Sequence, residues 1–420
     1  SDSVSLGSNP SRAANLTIGI LMRLLKATPA LAIPFLLFAM PLTAQQETAE
    51  AVFIDSLTVG ESLRALHHAG EWMLQNQNED GSWGRFPHPA ITALGAMGVY
   101  EERRSDHRRS RAVDKALAYV LSFQQADGSI YPAGEDQSQS GNYPNYTTSI
   151  ALLALATVNR ASDLEAMRRA RKYLQGSQFK DRATVDFGGI GYGKTGRADL
   201  SNASWAAEAL YFSDYLDREP FTATAEAQAG QAALWHDLQT FLTQCQTLPS
   251  HNHSKSISTH PYDQGGFFYR PNESKAGERT GLHNGFISSG SMTYAGLKSM
   301  IYASLPREDP RVRGAVSYLT LHYSVYQNPE MGLQGYFYYL HTMAKALDAF
   351  GDEIITDADG IDHAWRSEVL GELVRMQRDD GAWANANGRY MESMPALATA
   401  YAMITLRVCL GESPLDRSGR

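Results

Sequence analysis

Residues 77–83 read QNEDGSW, and near the other end of the chain residues 377–383 read QRDDGAW, so that Gln77, Gly81 and Trp83 recur as Gln377, Gly381 and Trp383. Weaker copies lie between them: Gln124-x3-Gly128-x-Ile130, Gly188-Gly189-Ile190-Gly191-Tyr192, Gly265-Gly266-Phe267-Phe268 and Gly332-x2-Gly335-Tyr336-Phe337. A repeat of this kind is one supersecondary unit that cannot bury its own apolar face and must stack on its neighbours. Six copies are enough to close a ring.

Each glycine-aromatic signature sits between two helical patterns. Before Gly81, the residues Leu63, Leu66, Ala69, Gly70, Met73 and Leu74 recur at the spacing of one helix face, whereas residues 89–100 (PAITALGAMGVY) are apolar on nearly every face. The alternation persists. Moderately polar helices are expected near 62–78, 111–125, 164–178, 230–246, 310–324 and 364–378, and apolar ones near 90–100, 146–159, 201–215, 290–304, 337–350 and 393–408. Two concentric layers follow, with polar helices outside and apolar helices inside. Loop insertions are expected at 216–229, 247–264 and 269–288, with no β-sheet beyond short hairpins in them.

The 420 residues are 43% hydrophobic, enough to bury a large core, and carry a net charge of −8, which argues against a nucleic-acid surface. Residues 27–42 (ATPALAIPFLLFAMPL) follow Arg23 and Lys26 and end at the small-residue pattern Leu42-Thr43-Ala44-Gln45, the layout of a secretory signal peptide. The run is too short to cross about 30 Å of hydrocarbon and contains Pro29, Pro34 and Pro41, so no stable membrane span is expected. Met22 marks the expected start. Residues 1–44 are thus read as upstream sequence plus signal peptide, 45–61 as a linker, 62–410 as the repeat body and 411–420 as a tail, with the mature chain secreted or periplasmic. Cys245 and Cys409 fall in different repeats and are read as two buried thiols.

The QxxxGxW signature with alternating helices resembles the prenyltransferase and squalene-oxidase repeat superfamily, which includes squalene–hopene cyclase and the protein prenyltransferase β-subunits. The resemblance covers residues 62–410. It implies an all-α fold, an α/α toroid (six-hairpin barrel) of terpenoid cyclase/protein prenyltransferase type, with a funnel-shaped apolar cavity that takes an isoprenoid or other lipid.

The chemistry of those relatives does not carry over residue by residue. Such cyclases start from a DxDD motif after a GG-aromatic-G turn. Here the turn at 188–192 leads to Asp199-Leu200-Ser201-Asn202, so Asp199 stands for the first Asp and Ser201 for the proton donor. A hydroxyl is far too weak an acid for that step; Asp199 or Ser201 as a helix N-cap is the other reading. The prenyltransferases hold zinc with an Asp, a Cys and a His. The corresponding positions here are Ser289, Ser291 and His341, which keep one ligand of three. Cys245, His251, His253, His260, Asp263 and His283 suit zinc by type but match no standard spacing, and the histidines read as solvated loop residues. No metal and no cofactor is expected.

In a toroid all six inner helices run the same way, so their first residues share one rim: His88, Tyr146 with Thr147, Asp199 with Asn202, Ser289 with Ser291, Tyr338 with His341, and Glu392. His341, Asp199 and Glu392 are the candidate acid/base groups. Tyr146, Asn202, Trp205, Ser289, Ser291, Tyr294, Lys298, Tyr338 and Lys345 are expected to line the cavity. Charges on helices this apolar must pair or face water, so Lys298, Lys345 and Glu208 either form ion pairs between helices or line a wet pocket. Three functions remain open on sequence alone: a lipid or isoprenoid pocket, a non-catalytic binding or scaffold module, and a carbohydrate-active α/α barrel. A filled centre would favour the second.

Overall fold

The computed structural model describes residues 54–101, 106–133, 143–217 and 225–412. The expected signal peptide and start lie outside these residues, as does the tail beyond residue 412. Among the described residues there are twelve α-helices. The outer ones are α1 (Ser56–Gln75), α3 (His107–Leu121), α5 (Leu164–Gln175), α7 (Ala225–Gln244), α9 (Pro310–Leu321) and α11 (Trp365–Met376). The inner ones are α2 (Pro89–Val99), α4 (Pro144–Val158), α6 (Leu200–Phe212), α8 (Gly290–Tyr302), α10 (Tyr336–Phe350) and α12 (Pro395–Cys409). Each inner helix packs on its two inner neighbours, and α12 closes the ring against α2. None of the described helices is long and apolar enough to cross a membrane.

The helices form where the pattern places them, although α1, α3 and α7 start early, at Ser56, His107 and Ala225 rather than at 62, 111 and 230. Asp55 caps α1, its carboxylate accepting from the Leu57 and Thr58 amides, so the expected linker is already helical from Ser56. The first turn of α1 leaves Leu57 exposed and adds nothing to the buried face, which hides it from periodicity. Proline opens α2, α4 and α12, where its missing N–H costs nothing. Inner-helix hydroxyls bond back into their own helix, as Ser149 does to Asn145 and Thr405 to Tyr401. That leaves an apolar face free to pack.

The repeat has a physical core that the sequence copies only partly display. Five glutamines (Gln77, Gln124, Gln178, Gln246 and Gln377) each donate from Nε2 to two carbonyls, one on the glycine of the same turn and one on the next outer helix. The last of them reaches Ala65 of α1 at 2.8 Å and ties the end of the ring to its beginning. The turn glycine is required twice over at Gly188: its φ is +80°, and a Cβ there would lie 1.8 Å from the Asp237 carbonyl oxygen. Trp83 and Trp383 donate their indole N–H to Met73 and Leu373, both at 2.8 Å. In the fifth repeat Tyr323 stands where the glutamine would be and donates to Glu368 of α11 instead.

Two short hairpins complete the described chain. Strands β1 (Glu278–Arg279) and β2 (Gly285–Phe286) lie in the expected 269–288 insertion. Strands β3 (Ile355–Thr356) and β4 (Asp362–His363) lie elsewhere, between α10 and α11 at the opposite end of the barrel. Cys245 and Cys409 are both free and buried.

Candidate functional site

The inner helices present two levels of polar groups along the axis, and the two behave differently. The deeper level is built on α6, α8, α10 and α12. Glu208 of α6 receives Lys298 of α8 at 2.5 Å and also Lys345 of α10. All three are buried, Glu208 completely. Burial pushes the Glu208 carboxyl up, but the two ammonium groups outweigh it and hold the pKa down to about 2. Burial lowers the Lys298 ammonium, against the pull of Glu208. The lysines and the glutamate therefore form the interhelical ion cluster rather than the wall of a wet pocket.

Rings fill the space beside that cluster. His341 stacks on Trp205 with centroids 5.4 Å apart and meets Tyr401 at 5.2 Å. Tyr338 closes against Trp205 and Tyr401, and the Lys298 ammonium lies 5.5 Å from the Trp205 ring centroid. His341 is 1% exposed, and neither ring nitrogen has a hydrogen-bond partner. Burial first, and the Lys345 charge second, drive its pKa well below the ordinary range. His341 is a neutral ring in a packed stack, not a base poised at a cavity. A chamber wide enough for a lipid would leave its lining accessible to water, whereas Asn202, Trp205, Ser291, Tyr294, Lys298 and Lys345 are all buried.

Several expected site residues are thereby reassigned. Tyr294 packs on Tyr339 of α10 at 5.7 Å. Ser291 is bound to Asn328, which accepts from its amide and donates to its hydroxyl. Ser289 is the N-cap residue of α8, its carbonyl accepting from Thr293. Glu392 lies three positions before α12 and serves α10 instead. Gly335 at the start of α10 offers no side-chain cap, and Glu392 accepts from the Phe337 and Tyr338 amides and from Asn385. Burial raises its pKa against those bonds.

The shallower level is the mouth. Asp199 caps α6, one oxygen accepting from the Asn202 amide at 2.9 Å and the other from the Asn202 side chain at 2.7 Å. It is 2% exposed, and burial lifts its pKa to about 6 although Tyr269 donates to it and Arg270 stands near. Tyr146, Ser201, Tyr269 and Tyr338 are half-buried around it. Tyr143, Tyr146 and Tyr192 form a ring cluster, with Tyr143 and Tyr192 4.6 Å apart. The Ser201 hydroxyl lies 3.5 Å from that of Tyr338. Sequence periodicity missed Tyr143, Tyr192, Tyr269 and Tyr401. The first three lie off the helix faces, at a cap or in loops, and only their clustering near the glycine-rich turns hinted at them.

No family model matches the chain, and no curated protein sequence matches it. Among solved structures it is similar to the type II terpene cyclase MstE from Scytonema in complex with geranylgeranyl dihydroxybenzoate, with a TM-score of 0.51 and 14% identity over 85% of this chain and 99% of that one. It is also similar to a family 76 glycoside hydrolase from a bovine Bacteroides thetaiotaomicron strain, with a TM-score of 0.52 and 9% identity over 84% of this chain and 78% of that one. At such identities the likeness concerns the fold. The chain is an α/α toroid with the architecture seen in both the terpene cyclase and the glycoside hydrolase structures.

Proposed function

We propose that this toroid is a binding module that holds a small, neutral, hydroxyl-bearing ligand at its mouth without turning it over. The observation that carries the reading is the closure of the axis one level below the mouth. Trp205, Glu208, Lys298, His341, Lys345 and Tyr401 are spent on one another there. This departs from the isoprenoid pocket that the resemblance implies, because a lipid tail has no chamber to enter. It departs from hydrolysis as well. A glycosidase needs one carboxyl to give a proton and a second to act on the opposite face, and here both Asp199 and Glu392 accept hydrogen bonds that cap helices.

The ligand class follows from the partly exposed groups gathered at the mouth. Tyr146, Tyr192, Tyr269 and Tyr338 offer ring faces with hydroxyls at their edges, and Ser201 adds another. The apolar run 27–42 supports the companion reading that the chain is exported and binds outside the cytoplasm.

The test combines product analysis with titration calorimetry. The purified chain is incubated with squalene, oxidosqualene and prenyl diphosphates, and separately titrated with neutral sugars and polyols. The expected result is no product and saturable binding of a sugar or polyol, which Tyr146→Phe, keeping the packed ring and removing its hydroxyl, weakens by roughly two- to tenfold with little change in melting temperature. A cyclised product, or a co-purifying lipid that His341→Ala releases, would overturn the proposal.

A further inference from the structure

Among the described residues, six large aromatic rings stand well exposed, from 40% for Tyr143 to 70% for Phe86 and Tyr326. The other three are Tyr192, Tyr262 and Tyr390. Their places in the chain are not scattered. Phe86 lies between α1 and α2, Tyr143 between α3 and α4, Tyr192 between α5 and α6, Tyr262 between α7 and α8, Tyr326 between α9 and α10, and Tyr390 between α11 and α12. Every one of the six outer-to-inner connections therefore carries one exposed ring. Because all inner helices start at the same end, all six rings stand on the mouth end of the barrel. The inner-to-outer connections at the opposite end present none among the described residues.

We infer that this crown is a docking surface for the chain of a neutral polysaccharide, an inference that rests on the mouth being the ligand site. An exposed tyrosine offers a flat apolar face with a hydroxyl at its edge and loses little conformational freedom on binding, which suits the alternating C–H faces and hydroxyls of a sugar ring. Polar donors accompany the rings: the Arg85 guanidinium lies 5.4 Å from the centroid of Phe86, and that of Arg389 lies 5.3 Å from Tyr390.

Charge and layout select this occupant over others. The loops of the mouth end carry mixed charge, part of it paired, with Lys180 and Arg182 on Asp237, and Arg279 on Asp263 and Glu330. Arg85, Arg197, Lys255 and Arg389 come from four different connections, interspersed with Glu79, Asp127, Glu278 and Asp379, so the basic groups are not gathered into one patch for anionic lipid or an acidic polymer. Val185, Leu282, Leu333 and Met391 are also exposed on this end, which marks the face as one that meets something. Yet the half-buried groups at its centre are Ser201 and Tyr338, whose hydroxyls lie 3.5 Å apart beside the capping Asp199, where a protein interface would be expected to place its apolar hot spot. A polymer laid over rings set around a hydroxyl-bearing centre fits that inversion.

The test is affinity electrophoresis of the mature chain in gels containing a soluble β-glucan, galactomannan or xylan. It compares wild type, a Phe86→Ala/Tyr262→Ala/Tyr326→Ala variant and the matching two-tyrosine Phe variant. These are exposed side chains, so melting temperatures should agree. Retardation by at least one polymer is expected, with a roughly two- to tenfold loss per ring removed, and the Phe variant should keep most of the binding. No retardation by any polymer overturns the inference, as does equal retardation of the Ala variant. So does a wild-type chain that instead binds neutral or anionic vesicles, or self-associates, in a manner the Ala variant abolishes. Two further outcomes separate this inference from the reading beneath it. If the polymer is bound and slowly shortened, the crown stands and the non-catalytic reading falls. If a short sugar saturates the mouth while no polymer is retained, the mouth reading stands and the crown falls.

Discussion

Helix α6 carries two buried carboxyl groups nine positions apart, and their pKa values move in opposite directions. Glu208, deep in the barrel, is held down to about 2 by Lys298 and Lys345; Asp199, at the mouth, is lifted to about 6 by burial. The same helix and nearly the same exposure give opposite results, because one group has two cations in contact and the other has amide and phenol donors. The difference divides the barrel by role. The deep level is closed by charges that satisfy one another, and the mouth keeps a group that can still exchange a proton near neutral pH.

The largest expected effect breaks the deep half of that comparison. Glu208→Gln leaves two buried ammonium groups without their counter-charge and should cost about 3–5 kcal/mol, read as a shifted midpoint in urea unfolding. Replacing all three by apolar residues (Glu208→Leu, Lys298→Met, Lys345→Met) should recover most of the loss, since a buried ion cluster is rarely better than well-packed apolar volume. If the triple variant is as unstable as the single one, the cluster is holding something other than itself. The pH dependence has a definite sign. A carboxyl depressed from 4.5 to about 2 gives stability that is fully present above 4.5 and is lost as pH falls through about 2.

The next effect concerns His341, which sits between the two levels. His341→Ala empties a space between Trp205 and Tyr401 and should cost about 2–4 kcal/mol as a cavity. His341→Phe should be neutral or stabilising, because both ring nitrogens already lack partners. With a folded pKa well below 6.5, the neutral ring withholds a proton that the unfolded chain takes up, so wild type should lose stability as pH falls below 6.5. Thermal unfolding from pH 5 to 8 checks this, and the Phe variant should flatten that limb. A Phe variant less stable than wild type at every pH would show that the imidazole makes a polar contact after all.

Much of the fold was legible because it rests on local pattern. The switch between amphipathic and fully apolar helices places all twelve elements, and Gln77, Gln124 and Gln377 announce the turns where glutamine and glycine stay four apart. Gln178 and Gln246 make the same two bonds but were hidden, since insertions carry their glycines to positions 188 and 265. The site was less legible, for a reason of geometry. A polar stripe on an inner helix faces the axis whether the axis is open or filled. Which of the two holds depends on the summed volume of side chains from six helices that are distant in sequence. Trp205, His341 and Tyr401 come from three of them. Glu392 was misplaced because it caps a helix other than the one it precedes, and the exposed crown lies in loops, where no periodicity marks an exposed ring.

The smallest effect tests the mouth half of the comparison, and it runs opposite in sign to the first. A carboxyl raised from 3.8 to about 6 keeps in the folded state a proton that the unfolded chain has released, so stability falls as pH rises between those values. Ionised Asp199 therefore weighs against folding at neutral pH, by about 1–3 kcal/mol. Asp199→Asn should remove that term without leaving a clash. Its carbonyl can keep the Asn202 amide, and its new N–H group needs an acceptor, which the unpartnered Asn202 Oδ1 supplies once that side-chain amide flips. The variant should be more stable than wild type at pH 7.5, equal to it at pH 4, and free of the downward slope between. The opposite order, with the variant weaker at pH 7.5, would mean that the ionised carboxylate is stabilised at the mouth by contacts stronger than those Asn202, Tyr269 and Arg270 provide. In that case the two carboxyls of α6 would be alike, and the division of the barrel into a closed depth and a titratable mouth would fail.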